Sequence, residues 1–240
     1  MEKNLNIVHL FPDLLNLYGD SGNILVLKKR CELRNINVNI ISYNINDNLN
    51  LNEADIVLLG GGSDREQKIV CNKLLDFKEE LKAYRDDEGV LLAVCGGYQL
   101  LGHYYSTVNE KIEGLGLCDF YTETSQGRIT GNICIDTLFG TVVGFENHAG
   151  RTYLGENAVA LGKVIRGKGN NGSDKTEGII YKNIFGTYLH GPLLPNNPEF
   201  ADMLIRKAIM RKYDDSSLLS PLNDELEKMA KAYVLNLKNS

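Results

Sequence analysis

The sequence predicts an α/β fold with a mostly parallel central sheet and helices on both faces of that sheet. Short apolar runs at residues 7–11, 55–59, 90–94 and 184–189 have the length and composition of buried strands. Segments with apolar residues at helical spacing lie between the first three of these runs. Strands that alternate with helices favour a parallel sheet, whose carboxyl-end loops meet at one edge.

The size and charge of the chain limit its class. It has 240 residues, a formal net charge of −5 and 43% hydrophobic residues, which suits a large domain with an appendage. We expect the main domain to span residues 1–212 and a helical appendage to span residues 213–240. The acidic balance argues against a dedicated nucleic-acid binder.

Cysteine usage and apolar runs indicate the compartment. Five cysteines without disulfide spacing favour a reducing environment. No apolar run approaches the length of a transmembrane span, and residues 1–5 lack the apolar core of a signal peptide. We therefore expect a cytoplasmic protein. No cysteine–histidine cluster has zinc-ligand spacing, so no metal site is expected.

The first half of the chain predicts helices and strands in alternation. A polar glycine loop at residues 19–23 precedes a helix near residues 24–31, and residues 38–42 predict the next strand. Residues 64–84 predict one helix whose charged residues form a solvated face.

The second half of the chain is rich in strands and ends in helices. Strands are predicted at residues 115–121, 129–135, 141–146, 158–166, 178–181 and 184–189. A turn at residues 126–128 separates the first two strands, and residues 167–174 predict the tip of a hairpin. Helices are predicted at residues 198–210 and 223–235, with a linker between them.

The most informative stretch is residues 89–102, where an apolar strand ends at Cys95 and two glycines lead into an apolar helical segment. A nucleophile at such a strand–turn–helix corner is exposed and strained. Free N–H groups at the helix N-terminus favour a thiolate. Cys95 is therefore predicted to be a nucleophile, with a small buried hydrophobic residue as the alternative. The other four cysteines lack this context.

A second glycine-rich loop is expected beside Cys95. Three glycines at residues 60–62 follow the strand at residues 55–59, and glycines at a strand end let the backbone approach a ligand closely. Backbone N–H groups of this loop are expected to face the same site, since neighbouring parallel strands share one edge. The alternative is a tight turn that caps the next helix.

A thiol nucleophile needs a group that transfers protons, and the chain has four histidines. His190 ends an apolar strand and is followed by glycine and proline. If that strand runs parallel to residues 90–94, His190 reaches the edge that carries Cys95. His148 has a similar loop position and is the second candidate. The alternatives are a turn residue for His190 and a supporting hydrogen bond for His148.

One further motif is rejected as a nucleotide site. Residues 162–168 have the spacing of a phosphate-binding P-loop. Gly169 stands where the motif requires serine or threonine for magnesium, and a polar turn follows instead of a helix. The sequence therefore predicts no ATP site in this chain.

Together these motifs resemble the class I glutamine amidotransferases. The resemblance rests on Cys-Gly-Gly-Tyr-Gln at residues 95–99, the glycines at residues 60–62, and Tyr-Leu-His-Gly at residues 188–191. A Gly-x-Glu-x-His-x-Gly element at residues 144–150 resembles the cobyric-acid-synthase branch. Similar stretches span most of residues 5–210. The resemblance implies a flavodoxin-like fold and hydrolysis of glutamine to glutamate and ammonia.

The resemblance also implies roles for single residues. Cys95 would be the nucleophile, His190 its proton-transfer partner, and Arg128 and Gln99 the glutamine-binding residues. The tetrahedral oxyanion would be held by backbone N–H groups of Gly96 and of Gly61 or Gly62. The alternatives are a surface turn residue for Arg128 and a polar residue of the first helical turn for Gln99.

The sequence departs from the wider family at one position. Many class I members carry a glutamate two residues after the catalytic histidine, and Pro192 stands there in this chain. The cobyric-acid branch also lacks this glutamate, so the resemblance implies a cysteine–histidine dyad. Glu146 is a candidate for orienting His190, with a helix cap or a surface ion pair as its alternative.

Dispersed stretches within this branch resemble the glutaminase subunits of lipid II isoglutaminyl synthases. That resemblance implies a heterodimer with a MurT-like Mur-ligase subunit, which would bind ATP and magnesium and amidate the D-glutamate of lipid II. No cofactor is expected in this chain. The alternatives are an amidotransferase for another acceptor such as a cobyrinate, a partner-independent γ-glutamyl hydrolase, and a catalytically silent binding module.

Overall fold

The computed structural model describes residues 2–108 and 110–237. Met1, Asn109 and residues 238–240, the end of the expected appendage, lie outside the described residues. The strands are β1 (Asn4–Leu10), β2 (Asn37–Tyr43), β3 (Ile56–Leu59), β4 (Val90–Val94), β5 (Tyr104–Ser106), β6 (Lys111–Glu113), β7 (Phe120–Thr137), β8 (Gly140–Leu154), β9 (Gly162–Arg166), β10 (Thr176–Glu177), β11 (Ile179–Tyr181), β12 (Ile184–Thr187) and β13 (Leu189–His190). The helices are α1 (Ser21–Glu32), α2 (Asp64–Leu75), α3 (Lys78–Asp86), α4 (Gly96–Leu100), α5 (Pro198–Tyr213) and α6 (Glu225–Asn236), with a 3-10 helix at Leu194–Asn196.

Six strands form a central sheet in the order β11-β12-β4-β3-β1-β2. All neighbours pair in parallel except the edge strand β11, which is antiparallel to β12. Strands β3 and β4 are buried along their whole length, as expected for a sheet covered on both faces. The parallel strands, numbered in chain order, lie 2-1-3-4-5, which is the flavodoxin-like order. The predicted α/β fold is confirmed.

A second sheet is built around a long hairpin. Strands β7 and β8 pair antiparallel, and β7 also pairs with β9 and β5. The sequence predicted two strands separated by a turn at residues 126–128, and this prediction is wrong. The structure has one strand with a register shift between Thr124 and Ile129. Gly127 has φ +76°, and such a bulge lets extra residues leave the ladder while the strand continues.

The chain passes between the two sheets near His190. Strand β12 belongs to the central sheet, whereas β13 pairs antiparallel with β8 of the second sheet. Only Tyr188 separates the two strands. This crossing brings the second sheet to the carboxyl edge of the central one.

The helix predicted at residues 64–84 is two helices in the structure. Helix α2 ends at Leu75 and α3 begins at Lys78. Phe77, between them, packs against the hydrophobic core with φ −112° and ψ 19°. The break reorients the chain so that α3 buries Leu81 and Tyr84, whose hydroxyl donates to a β4 carbonyl.

Two arginines, one in α1 and one in β9, hold the C-terminal segment against the rest of the structure. Arg30 of α1 donates to the carboxylates of Asp202 in α5 and Asp224 just before α6. Arg166 donates to carbonyls of residues 234, 235 and 237 at the end of α6, where a cation also complements the helix dipole. No helix in the described part of the chain has the length and apolar character to cross a bilayer.

Asn197 joins strand β8 to the start of α5, and its loss should destabilise the fold. Its Oδ1 accepts the Val143 N–H, and its Nδ2 donates to the carbonyls of Val143 and Leu193. Because all three bonds are buried, Asn197→Ala should lower the free energy of unfolding by about 3 kcal/mol, measured by urea denaturation. Asn196→Ala is the control, with an expected change below about 1 kcal/mol. Equal losses in both variants would contradict this account.

Candidate active site

Strand β4 ends in a sharp turn at Cys95. The residue has φ +49° and ψ −105°, an unfavourable region for a side chain with a Cβ atom. Its N–H donates to the Thr187 carbonyl over 2.8 Å, which holds the turn against β12. A Cβ atom at Gly96 would lie 2.7 Å from the Gln67 side chain, and one at Gly97 only 2.5 Å from the Leu59 carbonyl oxygen. Close packing against backbone oxygens therefore requires glycine at position 97, and Gly96 leaves room for the Gln67 side chain.

Cys95 lies in the wall of a cavity of about 380 Å³ at the carboxyl edge of the central sheet. Loops that follow β1 and β3 line one side, and the second sheet lines the other. This edge includes the switch point between β1 and β3, where ligands bind in folds of this order. The other lining residues used below are Tyr18, Gly62, Gln67, Gln99, Arg128, Asn147 and His148.

His190 reaches the same edge as Cys95. Strand β12 is parallel to β4 with Thr187 opposite Val94, which is the arrangement that the sequence analysis required. The His190 side chain is buried, and its ring centroid lies 4.2 Å from that of Tyr18. Neither ring nitrogen has a hydrogen-bond partner within residues 2–108 and 110–237. The ring is thus held by packing, with both nitrogens unpaired.

Glu146 does not orient His190 in this structure. Its backbone lies opposite Leu189 in the β8–β13 pair, but its carboxylate accepts the N–H groups of Lys168 and Gly169, each over 2.9 Å. The expectation of a helix cap or a surface ion pair is not met either, because the side chain is buried. Glu146 instead fixes the glycine-rich turn after β9, at the end of the stretch with P-loop-like spacing.

Burial keeps the two candidate catalytic groups uncharged. It raises the pKa of the Cys95 thiol to about 12, and the nearby Asp20 carboxylate raises it further. A hydrogen bond from the Gly96 N–H and the charge of Arg128 lower the thiol pKa, but by less. Burial, followed by the Arg128 charge, lowers the pKa of His190 to about 4. The free chain therefore holds a neutral thiol and a neutral imidazole at pH 7.

This electrostatic result differs from the sequence expectation of a stabilised thiolate. The helix after Cys95 is only five residues long, so its dipole is small. The exposed corner that the sequence suggested is also largely covered, since Cys95 is 9% exposed. Desolvation of a charged sulfur outweighs one backbone N–H bond.

Arg128 stands in the β7 bulge at the rim of the cavity. Its guanidinium donates to the side-chain and backbone oxygens of Asn147 over 2.8 and 2.9 Å. Asn147 in turn donates to the Tyr18 hydroxyl over 2.9 Å. The Arg128 charge acts on both Cys95 and His190. This position suits a cation that binds an anionic part of a substrate beside the thiol.

Gln99 and His148 belong to a hydrogen-bonded wall behind the cavity. Gln99 accepts from Gln67 over 2.8 Å and donates to the Tyr188 hydroxyl over 3.1 Å. The His148 ring stacks on Tyr188 at 3.7 Å, and its Nδ1 pairs with the Gly150 carbonyl. Burial lowers the pKa of His148 to about 3, so the ring is neutral at pH 7.

The N–H groups of Gly61 and Gly62, in the glycine loop after β3, differ in their hydrogen bonding. The Gly61 N–H donates to Asp20 over 2.8 Å, so it is occupied. The Gly62 N–H has no acceptor among the residues that the structure describes. A Cβ atom at Gly61 would lie 3.1 Å from the Cys95 Cβ, which places the loop directly beside the thiol. Of the two expected oxyanion donors, the geometry favours Gly62.

The family model for CobB/CobQ-like glutamine amidotransferase domains matches residues 6–198. This chain belongs to that family. The resemblance stated from the sequence motifs is therefore confirmed, as is the expectation that the chain is a glutamine amidotransferase.

Relatives of this glutamine amidotransferase agree with the assignment. Two are named lipid II isoglutaminyl synthase (glutamine-hydrolyzing) subunit GatD. The one from Staphylococcus aureus strain N315 is 50% identical over 87% of this chain and 86% of its own. The one from Streptococcus pneumoniae strain R6 is 42% identical over 95% of this chain and 90% of its own. A solved glutamine amidotransferase from Thermotoga maritima shares the fold, with a TM-score of 0.53 and 15% identity over 96% of this chain and 93% of its own.

Some residues of this amidotransferase site were not assigned roles from the sequence. Tyr18 and Asp20 lie in the loop after β1, and Gln67 lies in α2. A signal existed for the first two, because the loop after β1 ends at the same sheet edge as Cys95. Gln67 and Asn147 carry no comparable local signal, since their partners are distant in sequence.

Alkylation of Cys95 in the free chain should be slow at pH 7 and should keep rising to pH 10. The raised thiol pKa leaves little thiolate at neutral pH, and thiolate is the reactive form. Rates with iodoacetamide are measured by mass spectrometry on the peptide that contains Cys95. The same peptide in the unfolded chain is the control, and its rate should level off above about pH 9. A fast rate that is independent of pH from 6 to 8 would contradict the neutral-thiol assignment.

Proposed function

We propose that this chain is the glutaminase subunit of a two-subunit, ATP-dependent amidotransferase that uses Cys95 and His190 to hydrolyse L-glutamine. The observation that carries this proposal is the strained Cys95 corner in the cavity wall, with His190 at the same sheet edge. Family membership supports the reaction type.

The first half of the reaction forms a thioester. The Cys95 Sγ attacks the side-chain carboxamide carbon of glutamine, and His190 accepts the thiol proton in the same step. A neutral imidazole is the form that can accept a proton, and the lowered pKa of His190 keeps the ring in this form. The N–H groups of Gly62 and Gly96 stabilise the oxyanion. His190 then returns the proton to the leaving nitrogen, and ammonia departs.

The second half of the reaction releases glutamate. Water attacks the thioester carbon while His190 accepts a proton from it. The tetrahedral intermediate collapses, the Cys95 sulfur leaves, and the proton returns to it. Glutamate is thereby released, and the neutral thiol and imidazole are restored.

Substrate binding uses the rim of the cavity. Arg128 binds the α-carboxylate of glutamine, because a guanidinium pairs with a carboxylate through two parallel bonds. Gln99 contributes to the wall behind the substrate with Gln67 and Tyr188. These assignments follow from the family resemblance and are supported by the cavity lining.

A separate subunit completes the reaction. We propose a MurT-like Mur-ligase partner that binds ATP and magnesium, activates the D-glutamate of lipid II and receives the ammonia. The names of the two GatD relatives support lipid II as the acceptor.

Replacing Cys95 should separate glutamine hydrolysis from amidation. In the heterodimer, Cys95→Ala should abolish glutamate release and glutamine-dependent amidation of lipid II, because the thioester cannot form. Amidation driven by added ammonium chloride should persist, because the partner's chemistry is intact. Both reactions are followed by chromatography of glutamate and of amidated lipid II.

The matched control for this experiment is Cys31→Ala, which removes another buried cysteine, in α1. It should keep both activities. Glutamate release by Cys95→Ala at the wild-type rate would contradict the nucleophile assignment. Full wild-type activity in the absence of any partner would instead indicate an autonomous γ-glutamyl hydrolase.

Arg128→Met should weaken glutamine binding more than turnover. A charged hydrogen bond contributes about 1.5–3 kcal/mol, so KM for glutamine should rise about 10- to 100-fold. Steady-state glutamate release by the heterodimer measures KM and kcat separately. Arg206→Met on the exposed side of α5 is the control and should leave both constants unchanged. A large loss of kcat with constant KM would contradict a binding role.

A further inference from the structure

Two consecutive peptide units of the glycine loop are held from opposite sides. In the first unit, the Gly60 carbonyl accepts the Gly97 N–H over 3.1 Å and the Gly61 N–H donates to Asp20 Oδ2 over 2.8 Å. In the second unit, the Gly61 carbonyl accepts the Leu17 N–H over 3.0 Å. The fourth group of the set, the Gly62 N–H, has no acceptor among the described residues.

The direction of the free N–H follows from peptide geometry. The C=O and N–H of a trans peptide point in opposite directions, and the described residues contain no cis peptide bond. Since the Gly61 carbonyl points at Leu17, the Gly62 N–H points away from the loop after β1. Gly62 also lines the cavity that contains Cys95.

The packing leaves little room for the loop to shift. A Cβ atom at Gly60 would lie 2.1 Å from the Leu15 carbonyl oxygen and 3.1 Å from Asp20 Oδ2. One at Gly61 would lie 3.1 Å from the Cys95 Cβ. Asp20 therefore packs against the glycine loop, and the glycine loop packs against Cys95.

Burying the Asp20 carboxylate beside the glycine loop costs free energy, which its hydrogen bond with the Gly61 N–H offsets in part. It is fully buried, and its second oxygen, Oδ1, has no partner in the described part of the chain. An unpaired buried oxygen costs free energy. A carboxylate here also opposes the Cys95 thiolate. Among the described residues, the hydrogen bond from the Gly61 N–H is the one that this side chain makes.

We propose that Asp20 is a positioning residue for the oxyanion hole. By accepting the Gly61 N–H, it fixes the first peptide unit of the loop, so that the next unit presents the Gly62 N–H to the tetrahedral intermediate. The acceptor oxygen carries this effect, and the negative charge does not. The inference rests on the proposed glutaminase function, and it assigns no contact between Asp20 and substrate.

Two substitutions separate the acceptor from the charge. Asp20→Asn keeps an oxygen that can accept the Gly61 N–H, and Asp20→Ala removes it. Both remove the charge that opposes the Cys95 thiolate. We measure kcat and KM for glutamine in the heterodimer, and the pH dependence of Cys95 alkylation by iodoacetamide in the chain alone. Asp13→Ala, an exposed acid on the same loop, is the control.

The two variants should differ in turnover and agree in thiol acidity. Asp20→Ala should lower kcat about 10- to 100-fold with KM nearly constant, because an oxyanion donor is misplaced. Asp20→Asn should keep kcat within a few-fold of the wild type. In both, the alkylation profile should move to lower pH. Asp13→Ala should change neither kcat nor the profile.

Several outcomes would overturn the proposal. Equal losses of kcat in both variants would mean that the charge of Asp20 matters and not its acceptor oxygen. A higher kcat in Asp20→Ala would mean that the hydrogen bond from the Gly61 N–H slows the reaction. Should Asp20→Ala not fold, Asp20→Ser replaces it, since its hydroxyl is too short to reach the Gly61 N–H in the same way. The alkylation readout needs no turnover. Inactive wild-type heterodimer would therefore count against the proposed function, separately from the role of Asp20.

Discussion

The backbone conformation of Cys95 is the constraint on which the rest of the site depends. Its positive φ is unfavourable, so contacts on both sides must hold it. The Thr187 carbonyl of β12 binds the Cys95 N–H, and the Gly60 carbonyl after β3 binds the Gly97 N–H. Because these contacts come from the strands that flank β4, holding the corner also fixes the glycine loop and the strand that leads to His190.

The second sheet supplies the other half of the cavity. A single residue connects strand β12 of the central sheet to β13, which pairs with β8 of the second sheet. Arg128, in the bulge of β7, lines the same cavity as Cys95. The chemistry we propose for Cys95 and His190 thus belongs to the edge of the central sheet, whereas the substrate binding we propose for Arg128 belongs to the second sheet. The buried wall around Tyr188 joins the two.

The sequence predicted which residues meet at the edge of the sheet. It did not predict properties that depend on contacts between residues distant in sequence. Cys95, His190 and the glycine loop could be placed together because residues that end parallel strands share one edge. The fold could be predicted because short apolar runs alternate with segments of helical spacing. The thiolate expectation failed because the fold buries Cys95, and burial dominates the pKa of its thiol. Glu146 was misjudged because its partners, the N–H groups of residues 168 and 169, meet it only in the folded hairpin.

The central claim is that Cys95 is the nucleophile that attacks glutamine. Covalent labelling of this residue by a reactive glutamine analogue tests the claim most directly. A diazoketone analogue of glutamine is incubated with the heterodimer, and the adduct is located by peptide mass spectrometry. The account predicts one adduct per chain, on Cys95 alone, whose formation glutamine suppresses. An adduct on any other cysteine, or glutamine hydrolysis that continues at full rate without an adduct on Cys95, would contradict it.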